Sequence, residues 1–570
     1  MTQEKTKNWF KEPIVLLILI GGLVYFNALF NDFLWDDEEQ IVNNRIVHSI
    51  KNFFLFFKGS TFNPGGAGRL SGLYYKPLMT VFFSILYTFF GPRPFFFHLF
   101  QIVLHIINAI LVFLIFCHFF DEKRGYLALF LSLLFLVHPI NTETVVYISD
   151  LQDVLFFFFG ILAFYLILYK DQHLNLKDLS LISLLFLFSL LSKETGFAFF
   201  PIVLFYLYLY KRKRLPLYLG AMLGVIFVYF FLRFGIAKIY FAKHGLSPIT
   251  QMSFKERLKS VPAIIVFYLK TFFFPKDLAI NQHWVVRSLN WSEFYLPLLL
   301  VILFFGFLIT LGFLLKKEKE FWQEYLFFSF WFGMGLGLHL QIFPLDLTVS
   351  DRWFYLPMVG LLGLIGIIVK KLKPKKLQIA IFCILISVLS LRTIIRTFDW
   401  RDGLTLYSKD IKISKNAFDL ENNLGTELFR RGKIQEAKIH FERSTHLAPH
   451  WWTNWNNLGV VELRQGNIEK AKEYYQKAIQ NGNYYLAYEN LASLLLFQEK
   501  NPEKAKDFCQ KSLQKLPYNP KLWLILSLAE YQLGNKKSAL EAAWYSYQLS
   551  GDKQALYIYS QLKQDKPLEF

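Results

Sequence analysis

Cysteine is scarce in this 570-residue chain: Cys117, Cys383 and Cys509 are its three, and they are too scattered for a disulfide framework or a cysteine metal cluster. Charge is thin as well, at 18% of residues, and acids are the rarer sign, with 43 Asp and Glu against 62 Lys and Arg. A net charge of +19 raises the question of nucleic acid. No nucleic-acid module is present, and much of the basic excess lies at the edges of apolar runs, where lipid phosphates would meet it. The abundant residues are apolar and aromatic: 54% of the chain is hydrophobic, with 64 Phe, 30 Tyr and 13 Trp. That is too much for one soluble domain of ordinary composition. The excess lies before Arg396, whereas from Trp400 onward charged and apolar residues alternate. A bilayer and water are both implied.

A helix that crosses hydrocarbon needs about 17 to 25 mostly apolar residues, because it must satisfy its own backbone across about 30 Å. Eleven stretches are expected to do so: 14–30, 96–119, 126–137, 151–169, 179–191, 197–210, 215–232, 295–315, 325–343, 353–369 and 377–394. The short ones borrow interfacial flanks. Short cytoplasmic loops hold Lys and Arg. The strong clusters are Lys211-Arg212-Lys213-Arg214, Lys316-Lys317-Lys319 and Lys370-Lys371-Lys373-Lys375-Lys376. Weaker ones are Lys5-Lys7-Lys11, Lys123-Arg124 and Lys170-Lys177. Keeping all of them inside requires that 77–90 and 261–274 lie on the outer face as juxtamembrane helices. The reading is a polytopic membrane domain, 1–397, with the amino terminus cytoplasmic and outer loops 31–95 and 235–294. A linker, 398–417, and an extracytoplasmic repeat domain, 418–570, follow. No small-residue cleavage site follows the first apolar run, which reads as a retained signal anchor. Few cysteines and compact loops fit a bacterial inner membrane, with the repeats in the periplasm.

Ala437, Ala471, Ala505 and Ala539 recur every 34 residues, the tetratricopeptide period. Asn423-Leu424-Gly425 returns as Asn457-Leu458-Gly459, and Gly432, Gly466 and Gly534 mark turns between paired helices. Phe441, Tyr475 and Leu540 fill nearby apolar space. Four repeats suffice to bury a continuous core. Asn422, Asn456 and Asn490 share one register and are candidates to clasp the backbone of a bound peptide or protein, although helix faces carry such amides in the ordinary course.

Four acids, Asp36-Asp37-Glu38-Glu39, directly follow the first apolar run. Adjacent carboxylates can divide labour, one taking a proton from a hydroxyl while another orients it or binds a cation. The same outer face collects His138-Pro139 with Asn141, Glu143 and Asp150, then Lys193-Glu194, and Asp351-Arg352. Each has an ordinary explanation: a solvated acidic flank, a helix cap, a local ion pair, or an interface belt with a snorkelling arginine. Together they suit an anionic lipid-linked substrate whose phosphate is held by Lys193, Arg352 or both.

The pair Asp36-Asp37, Tyr75-Lys76-Pro77-Leu78, His138-Pro139 followed by Glu143, Asp153-Val154-Leu155, Ser192-Lys193-Glu194 and Asp351-Arg352-Trp353-Phe354-Tyr355-Leu356-Pro357 precede the repeats. In this order they resemble the transmembrane and tetratricopeptide-repeat-containing O-mannosyltransferases and their bacterial relatives, over nearly the whole chain. The resemblance implies an all-α architecture: a multi-span GT-C glycosyltransferase domain of about eleven spans, followed by a tetratricopeptide solenoid. It also implies a polyprenyl-phosphate sugar donor and transfer outside the cytoplasm, with Asp36 and Asp37 as the catalytic centre. Lys76, His138, Glu143, Lys193, Glu194, Asp351 and Arg352 are expected around the donor. Lys76 stands where the family often has arginine, which loses a planar two-pronged contact, and Asp351 stands where it often has glutamate.

Asp36, or in the second place Asp37, is expected to act as general base on the acceptor hydroxyl as lipid phosphate leaves. No metal or other cofactor is required; a divalent cation on Asp36, Asp37 and Glu38 is the variant mechanism. The acceptor is a protein or a glycan, mannose is one candidate sugar, and no nucleic-acid partner is expected. The rival reading is a noncatalytic envelope assembly or scaffold protein that binds partners through its repeats. A transporter is disfavoured, because the charges gather at loop edges rather than in mid-span.

Overall fold

A computed structural model describes residues 11–61, 74–120, 125–170, 175–240, 245–371 and 376–568. The basic residues Lys5, Lys7, Lys123, Arg124, Lys373 and Lys375 lie outside them. The described chain is helical, and its isolated β-bridge joins Gln282 and Val349. Contacts divide it into two units. The first comprises the described residues of Met1–Asp37, Phe53–Lys58 and Tyr75–Asn416, and the second those of Glu38–Asn52, Gly59–Tyr74 and Ala417–Phe570.

In the first unit six helices are long and apolar enough to cross a membrane: Pro94–Phe120, Ile148–Lys170, Arg212–Ile236, Trp291–Leu315, Asp351–Lys371 and Leu377–Asp399. Tyr126–Val137 and Pro139–Val146, bent by 46° at the break, make a seventh if taken as one span. The remaining expected crossings are helices that fall short on length or polarity. Lys11–Val24 has 14 described residues, Leu176–Ser192 has 17, and the stretch 197–210 lies in the shorter apolar helix Glu194–Tyr210, while Lys319–Gly337 carries Glu320 and Glu324. The stretch 77–90 is the 14-residue helix Pro77–Phe90. The stretch 261–274 continues a polar first turn in Phe254–Phe273, which opens on a Ser253–Glu256 capping box.

Packing in this unit turns on small residues. A Cβ at Gly360 would lie 2.3 Å from the Phe332 backbone nitrogen, and one at Gly363 would lie 2.1 Å from the Phe328 ring. Hydrogen side chains here let Tyr355–Lys371 approach Lys319–Gly337 closely. The stretch expected as a linker contains the helix Gly403–Asp410. It is anchored because buried Asp410 accepts two hydrogen bonds from Arg396, at 2.6 and 2.8 Å, and one from the Ile280 N–H at 2.9 Å.

The second unit contains four helix pairs. They are Phe418–Arg430 with Ile434–Leu447, Trp452–Arg464 with Ile468–Asn481, Tyr485–Ser493 with Pro502–Lys515, and Pro520–Gln532 with Lys536–Ser550; Lys553–Lys563 follows. The four alanines at the 34-residue period are fully buried. Between helices of a pair the chain turns through Gly432, Gly466 and Gly534, with φ of 76°, 84° and 79°. The third repeat has Lys500 in that place, at φ 50°. Polar burial is periodic too. Buried Glu462 pairs with Lys438 at 2.7 Å and accepts from Asn467 at 2.7 Å. Sixty-eight residues on, Glu530 pairs with Lys506 at 3.4 Å and accepts from Asn535 at 2.7 Å.

The asparagine register is engaged between repeats. Asn457 donates to the Asn422 side-chain oxygen at 2.8 Å, and Asn490 to that of Asn456 at 2.9 Å. Asn422 and Asn456 are buried. At the next step the equivalent positions are Leu524 and Ile525, both buried, and the amide between the third and fourth repeats comes from another place, Asn519, which donates to Glu489 at 2.7 Å.

Candidate functional site

A short stretch of chain, residues 147–153, organises the charged groups of the first unit. It joins Thr142–Val146 to Leu151–Lys170 through a tight turn, Ile148–Asp150. Gln101, on the helix Pro94–Phe120, fixes its backbone by donating to the carbonyls of Thr144 and Tyr147 at 2.7 and 2.8 Å. Tyr147, Ser149, Asp150 and Asp153 are all buried.

The acidic pair meets this stretch in two ways. Asp37 is buried, and its Oδ1 accepts from the Ser149 N–H at 2.8 Å and from the Ser149 hydroxyl. Its Oδ2 accepts from the Leu34 N–H at 2.9 Å. Burial pushes the Asp37 acid up to about 7, against these donors, which favour the ionised form. Asp36 is half-buried, and its backbone N–H donates to the Tyr147 hydroxyl oxygen at 3.3 Å. The preceding residue, Trp35, adopts the left-handed φ of 51°, uncommon for a bulky side chain. Its ring stacks on Tyr147 at 6.4 Å, and Tyr147 lies 5.7 Å from the Trp400 ring. The two neighbouring acids are thus unequal: Asp37 is buried with its carboxylate engaged by three donors, and Asp36 is half-buried.

The cations attach to the same stretch. Arg352 Nη1 donates to Asp150 at 2.8 Å and lies 3.3 Å from Glu143. Glu143 also accepts from the Ser350 hydroxyl at 3.0 Å and from the Arg352 N–H at 3.2 Å. Lys193 Nζ donates to both oxygens of Asp153, at 2.7 and 2.9 Å. Glu194 pairs with buried Arg233, which also donates to the Tyr229 hydroxyl at 3.0 Å. Burial pulls the Lys76 ammonium down to about 8; Glu194 opposes this, and the charges of Lys193 and Arg352 add to it. Lys76, Lys193 and Arg352 therefore feel one another, with Asp150, Asp153, Glu143 and Glu194 holding the counter-charge.

Two expected residues stand apart. His138 has both ring nitrogens in use: Nε2 meets the Phe272 carbonyl at 2.8 Å, Nδ1 accepts from the Ile140 N–H at 3.2 Å, and the ring stacks on Phe272. It caps and packs. Buried Asp351 lies within electrostatic reach of Arg396, Asp410 and Arg392 as well as Glu143. Asn422 and Asn456 spend their side-chain oxygens on the neighbouring repeat. Among the described residues no group of three or more His, Cys, Asp or Glu is disposed to hold a metal ion.

Sequence reasoning passed over Ser149 and Arg233; it placed Asp150 on the outer face and Asp153 within a family motif, and assigned neither a partner. The signals were Arg233 inside an apolar run, and two acids three residues apart on one face of a span.

Fold and site together define a polytopic all-α membrane protein with a tetratricopeptide solenoid and a buried cluster of ion pairs. Residues 452–482 match the tetratricopeptide repeat family. The chain is 23% identical over 481 residues to the human protein O-mannosyl-transferase TMTC3, covering 77% of this chain and 52% of the human one. It is 25% identical over 463 residues to a protein O-mannosyl-transferase of Caenorhabditis elegans, covering 78% and 64%. With the human protein O-mannosyl-transferase TMTC1 identity is 34% over 156 residues, 27% of this chain and 18% of that one. The chain is related to these eukaryotic proteins, and its match spans about half to two thirds of the length of the first two.

Proposed function

We propose that this chain is a GT-C glycosyltransferase that moves a sugar, with mannose one candidate, from a polyprenyl-phosphate donor to a hydroxyl of a protein or glycan acceptor outside the cytoplasm. The observation that carries this reading is the shared stretch 147–153. It binds Asp37 through Ser149 and meets Asp36 through Tyr147, and it holds Arg352 and Lys193 through Asp150 and Asp153. A candidate base and candidate phosphate ligands are thereby tied to one rigid piece of backbone, as group transfer requires.

In the proposed step the acceptor oxygen attacks the anomeric carbon and the bond from that carbon to the phosphate oxygen breaks. The hydroxyl proton passes to Asp36, and the lipid phosphate leaves with the bonding pair. Asp37, held by three donors, orients its neighbour. Arg352 and Lys193, with Lys76 near them, stabilise the charge of the departing phosphate. The eleven-crossing topology belongs to this reading, with the repeats outside the cytoplasmic membrane of a bacterium. It is checked by a reporter active only outside the cytoplasm: active after Trp400, silent after Lys213.

The central test is Asp36→Asn in the purified chain with polyprenyl-phosphate sugars. Donor binding persists while transfer at saturating donor falls about 10²- to 10⁴-fold. Undiminished transfer removes Asp36 from the role of base. Undiminished transfer by the Asp36 and Asp37 variants alike places the base on another residue, and absence of transfer by the wild type favours a scaffold role over an enzyme. Loss on chelation, restored by a divalent ion, assigns the acids to a cation.

A further inference from the structure

Four residues of the membrane unit, Leu34 to Asp37, close a tight turn. The Asp37 N–H donates to the Leu34 carbonyl at 3.0 Å, and the Leu34 N–H donates back to Asp37 Oδ2 at 2.9 Å. Trp35 and Asp36 are its central pair, and of the two it is Trp35 that has positive φ, at 51°. That sign pattern belongs to a II′ turn, whose first central place is ordinarily filled by glycine. A β-carbon at positive φ crowds the carbonyl oxygen that follows it, so tryptophan is an unfavourable residue for this place.

Tyr147 is what holds it there. The Trp35 and Tyr147 rings stack with 24° between their planes, and the Tyr147 hydroxyl oxygen accepts from the Asp36 N–H at 3.3 Å. One tyrosine thus engages both central residues of the turn. Tyr147 is itself buried and fixed: its carbonyl accepts from Gln101 at 2.8 Å, its N–H donates to the Glu143 carbonyl at 3.0 Å, and its ring lies 5.7 Å from that of Trp400. Ahead of the turn, the Asn31 side chain donates to the Thr397 carbonyl at 3.2 Å and the Asp32 N–H to the Arg401 carbonyl at 3.1 Å. The turn is therefore tied down before it begins and across its centre, and every tie is made within the membrane unit.

We infer that Trp35 and Tyr147 are positioning residues for Asp36: the Trp35 ring, docked on Tyr147, holds the turn in a conformation its backbone would otherwise leave, and that conformation aims the Asp36 side chain. Without the ring, a residue other than glycine at 35 relaxes to negative φ, which turns the chain that follows and draws the Asp36 N–H away from Tyr147. Glycine tolerates the present φ and its mirror image about equally, so with it the turn samples both. Neither replacement keeps a single pose. A base has to meet its proton in one geometry, and strain of this kind collects beside such groups. The effect on transfer rests on the transferase reading above; the effect on the turn does not.

The test uses the full-length chain in lipid nanodiscs, as wild type, Trp35→Gly, Trp35→Phe and Tyr147→Phe. Hydrogen–deuterium exchange is read over 34–37, where the Leu34, Asp36 and Asp37 amides are bonded, together with the melting temperature and transfer kinetics. Trp35→Gly is expected to keep or raise the melting temperature, because it relieves the backbone, while exchange over 34–37 quickens. Its kcat falls about 10- to 100-fold with the KM for donor unchanged. Trp35→Phe keeps a ring on Tyr147 and restores most of the protection and of kcat. Tyr147→Phe keeps the stack and removes the acceptor of the Asp36 N–H, so it lowers kcat by less than Trp35→Gly does. Unchanged exchange over 34–37 in Trp35→Gly overturns the inference, as does full kcat in that variant. A lower melting temperature with donor binding lost in Trp35→Gly and Trp35→Phe alike also overturns it, by making the ring a part of the packing alone. If Trp35→Gly does not fold, Tyr147→Phe decides, and unchanged exchange and kcat there overturn the inference. A wild type that transfers no sugar sinks the transferase reading, and the exchange over 34–37 then decides by itself whether the ring holds the turn.

Discussion

The two units bury charge by opposite plans. In the solenoid a buried acid comes back at a fixed interval with the same neighbours, Glu462 with Lys438 and Asn467, then Glu530 with Lys506 and Asn535. Repetition marks these as part of the architecture: the acid of the second repeat latches to the first and that of the fourth to the third, with Leu428 and Leu496 at the intervening positions. In the membrane unit, Asp37, Asp150, Asp153, Lys193 and Arg352 meet once, from distant parts of the chain and with no interval between them. A non-repeating cluster of ion pairs is costly to build in a bilayer protein and is expected where a substrate is handled.

The strongest test of that contrast cuts matched pairs. Lys193→Met leaves Asp153 buried without its partner, which lowers stability by about 3–5 kcal/mol. It also weakens donor binding about 10- to 100-fold, the worth of one charge-assisted hydrogen bond. Adding Asp153→Asn restores the melting temperature and leaves donor affinity low. Lys438→Met opposite Glu462 lowers the stability of the repeats and leaves donor binding alone. Donor affinity recovered by the Lys193 and Asp153 double variant would make that pair structural, and the contrast would fail.

An intermediate effect is expected from pH. Asp37 has its acid raised to about 7 from the ordinary 3.8, burial being the first cause. Between those values the folded chain holds a proton that the unfolded chain has lost. Stability from this group is complete below about pH 4 and falls away as pH rises through 7. Melting temperature in nanodiscs therefore declines over that window, and Asp37→Asn removes this part of the slope. An unchanged slope in the variant would show that Asp37 is not the group titrating.

The smallest effect lies in the solenoid. Lys500 occupies the left-handed turn position that glycine fills at 432, 466 and 534. Lys500→Gly relieves that backbone and is expected to add about 0.5–1 kcal/mol, raising the repeat-domain transition by a few degrees in calorimetry. A lower transition temperature would mean that the lysine side chain contributes more than its backbone costs.

What the sequence made legible follows the same division. The solenoid was readable because Ala437, Ala471, Ala505 and Ala539 repeat, and repetition can be counted. The acids Asp36 and Asp37 were noticeable because they break an apolar pattern. Their inequality was hidden: Ser149 reaches Asp37 across 112 residues of chain, and no local pattern encodes that contact. The short helices of the membrane unit show a further limit. Apolar stretches such as 14–30 mark where the chain avoids water, but Lys11–Val24 gives way to the 3₁₀ turn Phe26–Phe30, so helix length does not follow from hydropathy. Asn422, Asn456 and Asn490 were recognisable as a register, but a register does not say whether an amide faces a ligand or the next repeat.

That register also sets what aligns one repeat on the next. The first two junctions carry bonds between asparagine side chains, and the third presents Leu524 and Ile525 in their place while Asn519 donates to Glu489 and Lys506 pairs with Glu530. Hydrogen bonds demand one alignment, whereas apolar side chains repack with little loss, so at the third junction alignment is carried by Asn519 and Lys506 instead of the asparagine register.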